Sequence, residues 1–232
     1  MKNLKDIIVE RLHINKDIGK HIEYNYHPTS RNELKQLVNK LINEREYNAD
    51  LNDIDTSEIT DMNFMFYESP FNGDISNWDV SNVKDMSHMF YKSKFNGDIS
   101  VWDVSNVKDM SHMFSYSEFT TKNGDLSTWD VSKVEDMSYM FCYSEFNGDI
   151  SNWNVSNVKD MRYMFSLSKF NGDISNWNVS NVENMYCMFY RSEFTGKNGY
   201  ISQWDVSKVE NMDRMFKYSP LEQNPPKWYK KK

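Results

Sequence analysis

FNGDISVWDVSNVKDMSHMF, residues 95–114, decides how this chain folds, because the same phrase returns along most of it. The pairs that close each copy are Met65-Phe66, Met89-Phe90, Met113-Phe114, Met140-Phe141, Met164-Phe165, Met188-Phe189 and Met215-Phe216, at intervals of 24, 24, 27, 24, 24 and 27 residues. Trp78, Trp102, Trp129, Trp153, Trp177 and Trp204 keep the same rhythm. A strict period of this length marks a stack of units, none of which can bury its apolar side alone.

Inside the phrase the fixed apolar positions are Phe95, Ile99, Trp102, Val104, Val107, Met110, Met113 and Phe114. The spacing from Val104 through Val107, Met110 and Met113 to Phe114 predicts a turn of 3-10 or α-helix with one face inward. Asp109, and Asn184 and Asn211 in later copies, would be its N-cap. Gly97 to Val104 is richer in strand formers and short enough for one strand per coil. Ile99 and Trp102 lie three apart, so that strand needs a bulge or a bend.

Working outward, residues 48–232 divide into about seven 24- or 27-residue coils and a C-terminal half-coil cap. The first coil is degenerate: Leu51, Ile54, Ile59, Met62 and Met65 keep the spacing, with Ile54 in place of Trp. At the other end, Leu221 and Trp228 repeat the interval from Phe71 to Trp78, and Pro220, Pro225 and Pro226 would block further strand pairing. The two longer copies grow at one place, residues 119–124 and 194–199, which makes that loop a candidate for binding or for tolerated growth. Residues 1–47 are not repeat. There Ser30-x-x-Glu33 is a capping box for a helix over Arg31 to Glu46, whose apolar face of Leu34, Leu37, Val38, Leu41 and Ile42 would cap the stack. Residues 1–27, with Ile7, Ile8, Leu12, Ile14 and Tyr24-Asn25-Tyr26, would add a short element or a docking arm.

The repeat closely resembles the 26-residue bacterial surface-protein repeat of BspA-like leucine-rich-repeat proteins and of mycoplasma and Listeria lipoproteins. The resemblance covers about three quarters of the chain and rests on W-[DN]-V-S-N-V-x-[DN]-M-x-x-M-F. It implies a repeat solenoid that is leucine-rich-repeat-like, each coil a short parallel β-strand plus a helical or 3-10 turn, and for secreted members adhesion or host contact. Short signal-free members resemble proteins of gut bacteria and their phages.

The net charge of −7 argues against a nucleic-acid partner, since phosphate binding needs a broad basic face. Only the tail, Lys227 with Lys230, Lys231 and Lys232, is locally basic. The first 20 residues hold no apolar run longer than Ile7-Ile8-Val9, which predicts no signal peptide, no membrane span, and a cytoplasmic or virion-associated location. Cys142 and Cys187 fit a reducing compartment.

Catalytic spacings of the Ser-His-Asp, Cys-His or metalloprotease kind are absent, and the carboxylates are periodic, so the expectation is no enzyme, no cofactor and no metal. Three columns hold residue types with chemistry to offer. Asp79, Asp103, Asp130, Asn154, Asn178 and Asp205 suit turn hydrogen bonds better than a cation. His88 and His112 adjoin, but Tyr139, Tyr163, Cys187 and Arg214 follow them and offer no metal set. The six Trp suit a core ladder better than a sugar platform.

Specificity would instead be written where the skeleton varies, just before each Met-Phe pair. The candidate binding residues are His88, His112, Tyr139, Tyr163 and Arg214 in one column, with Arg162 and Tyr186 beside it. The expected function is a non-enzymatic structural or protein-binding scaffold. A surface adhesin or glycan binder and a phage virion component are its alternatives, and the chain would act as a monomer or within a larger assembly.

Overall fold

The computed structural model describes residues 24–230, Thr121 and Asn123 excepted. Most of the predicted arm over residues 1–27, two positions of the first long loop, and Lys231 and Lys232 lie outside the described residues.

Each coil is bent at polar residues that capture the N–H two positions ahead. In one coil Ser93 Oγ accepts from Phe95 N at 3.1 Å, Asp98 Oδ1 from Ser100 N at 2.9 Å, Asp103 Oδ1 from Ser105 N at 3.0 Å, and Asp109 Oδ1 from Ser111 N at 2.8 Å. These local bonds satisfy a backbone donor inside a turn and compete with both helix and ladder. After each Asp comes a fully buried apolar residue, Ile99, Val104 or Met110. Three further turns, Trp102 N to Ile99 O, Val107 N to Val104 O and Met113 N to Met110 O, close the corners.

This geometry corrects the expected coil. No coil contains a strand or an α-helical turn among the described residues; cross-coil pairing reaches only isolated parallel bridges such as Asp61 to Asp85 and Asp85 to Asp109. Asp109 caps a turn, not a helix, and His112 and Tyr116 beyond it are left-handed, with φ of 57° and 56°. A change of hand every few residues excludes a right-handed helix. The leucine-rich-repeat-like coil of strand and helical turn is therefore replaced by a coil made of turns. The bend anticipated between Ile99 and Trp102 is one of these turns.

Three sets stand out among the bonds that hold one coil on the next. First, Met110, His112, Phe114 and Tyr116 donate their N–H groups to the carbonyls of Asp136, Ser138, Met140 and Cys142 at 2.8–3.0 Å, and the same four bonds recur at all six junctions from Met62 to Lys217. Second, each indole of the Trp series, and Trp228 after it, donates Nε1 to the carbonyl of an Ile or Leu one coil earlier, from Trp78 on Leu51 to Trp228 on Ile201, at 2.8–3.2 Å. Third, Asn106 Nδ2 reaches back to Ser81 O, and where Lys133 replaces that Asn its ammonium reaches Asn106 Oδ1. Between these bonds Phe66, Phe90, Phe114, Phe141, Phe165, Phe189 and Phe216 stack at 5.5–5.9 Å, within 11° of parallel. Such ring pairs add about 0.5–1.5 kcal/mol each beyond area burial.

Helix α1, Arg31–Arg45, starts at Ser30, whose hydroxyl accepts from Glu33 N, and buries Leu34, Val38, Leu41 and Ile42. All four belong to the same hydrophobic core as the first coil's Leu51, Ile54 and Ile59. The outer edge of that coil would otherwise present bare carbonyls. Arg31 Nε donates to Asn63 O at 2.8 Å and Lys35 Nζ donates to Met65 O, so two cations one helical turn apart cover alternate carbonyls. At the far end Trp228 packs on Trp204 and Phe216, and Tyr229 meets the edge of Phe216.

Candidate binding face

Among the described residues, apart from Glu46, every non-glycine residue with positive φ falls in one of two columns on the side of the stack that carries the Met-Phe pairs. One column is Phe64, His88, His112, Tyr139, Tyr163, Cys187 and Arg214; the other is Glu68, Lys92, Tyr116, Tyr143, Leu167, Arg191 and Tyr218. A left-handed L-residue costs roughly 1–2 kcal/mol, and Gly or Asn would relieve it. Neither residue occurs in these fourteen positions.

What fills them is an aromatic row. Phe64, His88, His112, Tyr139 and Tyr163 stack in sequence at 4.4, 4.3, 4.3 and 4.5 Å, and Tyr186 closes the row edge-on against Tyr163 at 5.2 Å. The fold thus brings five of the candidate residues together: His88, His112, Tyr139, Tyr163 and Tyr186. Arg162 lies beside them, paired with Asp160 at 3.3 Å. Arg214 is exposed on the last coil, beyond the aromatic run.

A second row escaped the sequence reading. Tyr67, Tyr91, Tyr116 and Tyr143 follow one another at 5.0, 5.9 and 4.8 Å, and Tyr190 meets Tyr218 at 5.6 Å. Contacts from Phe64 to Tyr67 at 5.3 Å and from His88 to Tyr91 at 5.8 Å join the rows into one face. The signal was in the sequence: six of seven Met-Phe pairs have a Tyr at the first or second position after them, Leu167 marking the exception. Cations lie over these rings, Lys92 on Tyr91, Arg191 on Tyr190 and Tyr218, and Lys217 on Tyr218.

Burial tunes the groups in this face. His88 and His112 each bury an Nδ1 that meets no hydrogen-bond partner among the described residues. Desolvation holds both imidazoles below the usual range, His112 to about 4, with His88 and Arg162 adding to the fall and Asp136 opposing it. Behind them Asp85, Asp109, Asp136 and Asp160 occupy one column of successive coils. Burial first, and neighbouring aspartates after it, raise the carboxyls of Asp109 and Asp160; the run ends at Asn184 and Asn211. Desolvation also raises the phenol of Tyr163 and pushes the Cys142 thiol up to about 11, so that thiol stays protonated and inert near neutrality. Among the described residues no three His, Cys, Asp or Glu are placed to hold a metal.

The sugar platform is excluded. All six Trp of the series are only 3–5% exposed, with their indoles committed to the bonds described above. The Asp79 column makes turn bonds, as Asp79 with Ser81 and Asp103 with Ser105.

A family model described as Mycoplasma protein of unknown function, DUF285, matches residues 32–141 and again 116–228. The chain belongs to the DUF285 family. The two DUF285 matches together take in nearly all of α1 and the coils through Trp228, so the family is defined on the repeat itself. No curated protein and no solved structure matches the chain.

Proposed function

We propose that this DUF285 chain is a non-enzymatic scaffold that binds a protein along the double aromatic row. The observation that carries the reading is the hand of the backbone. Fourteen positions hold a left-handed conformation that Gly or Asn would adopt at lower cost, and the residues kept there are mainly aromatic or charged. Strain retained against a cheaper alternative points to a use for the side chains. Stacking along the row returns about 0.5–1.5 kcal/mol per pair, comparable to the strain, so the face is rigid before any partner arrives.

The rings stack on one another, so flat faces along the rows are taken, while Tyr67, Tyr116, Tyr143 and Tyr218 stay exposed beside Lys92, Arg191 and Lys217. That suits a protein partner, where Tyr and Arg dominate hot spots, better than a sugar ring that needs an open aromatic face.

Photo-crosslinking residues placed at Tyr143 and Tyr163, with a control at exposed Asn152, test the reading in cells that make the protein. The expected result is one defined adduct from both face positions and none from Asn152, lost when Tyr139, Tyr163 and Tyr186 are replaced by Ala in the Tyr143 crosslinker. Equal labelling from Asn152, or an adduct that survives the three substitutions, overturns it.

A further inference from the structure

The four bonds at each junction share a direction. The peptide group between Asp85 and Met86 accepts from Met62 N and donates to Asp109 O, and the same peptide position in each internal coil does likewise. Four chains of head-to-tail peptide dipoles therefore run the length of this side of the stack, N–H groups toward the C-terminal end. Two columns run the other way, Lys84 N to Thr60 O with its repeats and Lys94 N to Ser69 O with the matching bonds of Glu118, Lys169 and Glu193, so the four chains outnumber those opposed to them. Aligned peptides leave partial negative charge at the carbonyl end and partial positive charge at the N–H end.

The ends are treated according to that sign. At the carbonyl end sit two cations, Arg31 and Lys35. At the N–H end a carboxylate takes one donor: Glu222 Oε2 accepts from Tyr218 N at 2.8 Å. The other three donors of that row, Met212, Arg214 and Phe216, meet no acceptor among the described residues. Met212 is half-buried and Arg214 exposed; Phe216, whose ring lies under Trp228 and Tyr229, is the innermost. The surroundings match: residues 206–232 carry seven Lys and Arg against three acids, in a chain whose net charge is −7.

We propose that the last coil is an end-on docking site for an extended acidic peptide of a partner, which lays oxygens on alternate N–H groups at Met212, Arg214 and Phe216. The register continues one that the chain already uses at six internal junctions. Glu222 is the internal example of the chemistry. A second copy does not fit: donors would face donors if the C-terminal ends met, and α1 covers the carbonyls of the opposite end. The site is independent of the aromatic face.

Amide chemical shifts of the full chain, titrated with a blocked hexapeptide of alternating Glu and Val, test this directly. The Met212 and Arg214 amides are expected to move saturably, while the equivalent Met185 and Cys187 amides, bonded to Asn211 and Asp213, stay fixed. Glu222→Gln withdraws the internal carboxylate and should add Tyr218 to the responding amides. Lys217→Glu should weaken the peptide severalfold by reversing a charge at the rim. A triple Tyr139→Ala, Tyr163→Ala, Tyr186→Ala variant should bind the peptide unchanged, which separates failure here from failure of the lateral face. No saturable shift at Met212 and Arg214, shifts confined to the lysines after Trp228, or an equal response to a Lys-Val peptide would each overturn the proposal.

Discussion

Trp153 Nε1 donates to the carbonyl of Leu126, one coil earlier, at 2.8 Å, with both groups buried. The indole therefore fills the interior and ties neighbouring coils. Trp153→Phe keeps a ring but leaves the Leu126 carbonyl buried and unpaired, at a cost of about 1–3 kcal/mol in addition to any packing loss. Urea unfolding checks this: a midpoint unchanged from the parent would show that the bond contributes nothing.

Lys35 covers the first coil's edge. Lys35→Met retains the aliphatic stem but strips the donor from Met65 O, and should lose about 1–3 kcal/mol. Lys35→Gln, still able to donate, should lose less. Hydrogen exchange locates the effect: amides of α1 and the first coil should exchange faster, while those beyond Phe114 keep the parent rates.

Acid should loosen the face through His112. Its folded-state value of about 4 lies below the usual 6.5, so between these two pH values the unfolded chain holds the extra proton. The stability this site contributes is full above pH 6.5 and is lost as pH falls toward 4. His88 titrates in the same direction, whereas Asp109 and Asp160, raised by burial, regain stability as they protonate. His112→Tyr, the residue of the next coil in this column, isolates the term. The variant should overtake the parent by roughly 1–2 kcal/mol at pH 4, solvent screening allowed for, with little difference at pH 7.5. Parallel melting curves at both pH values would refute it.

Leu167 offers a test of the backbone strain. It is left-handed with φ of 57°, 38% exposed, and interrupts the second aromatic row. Leu167→Asn should raise stability by about 0.5–1 kcal/mol, because Asn tolerates this conformation without the added unfolded-state freedom of Gly. A lower melting temperature would mean that the apolar contact outweighs the strain.

The parts legible from sequence were those that depend on spacing alone. The Met-Phe and Trp intervals named nearly every buried residue, and Ser30 with Glu33 marked the start of α1. Secondary structure inside the coil was not legible, because intervals of three from Val104 to Met113 arise from successive turns as readily as from a helix. Asp109 deepened the ambiguity, since an aspartate that captures the N–H two residues ahead looks the same whether a helix or another turn follows. The usual sign of a left-handed residue, Gly or Asn, is missing from all fourteen such positions, so composition gave no hint of the hand. The second aromatic row was hidden for a simpler reason: its Tyr shifts between adjacent positions, as Tyr91 and Tyr116 do, and falls in no single column of an alignment.

Each junction uses one wiring plan, while α1 at one extremity and the partial coil ending in Trp228 and Tyr229 at the other lie outside the complete copies. The number of copies is therefore uncoupled from how the extremities are closed. Recombination between copies that deletes or duplicates a whole unit would yield a chain that still folds, its reach altered by one increment, so extent can drift over generations while both terminal fittings stay as they are.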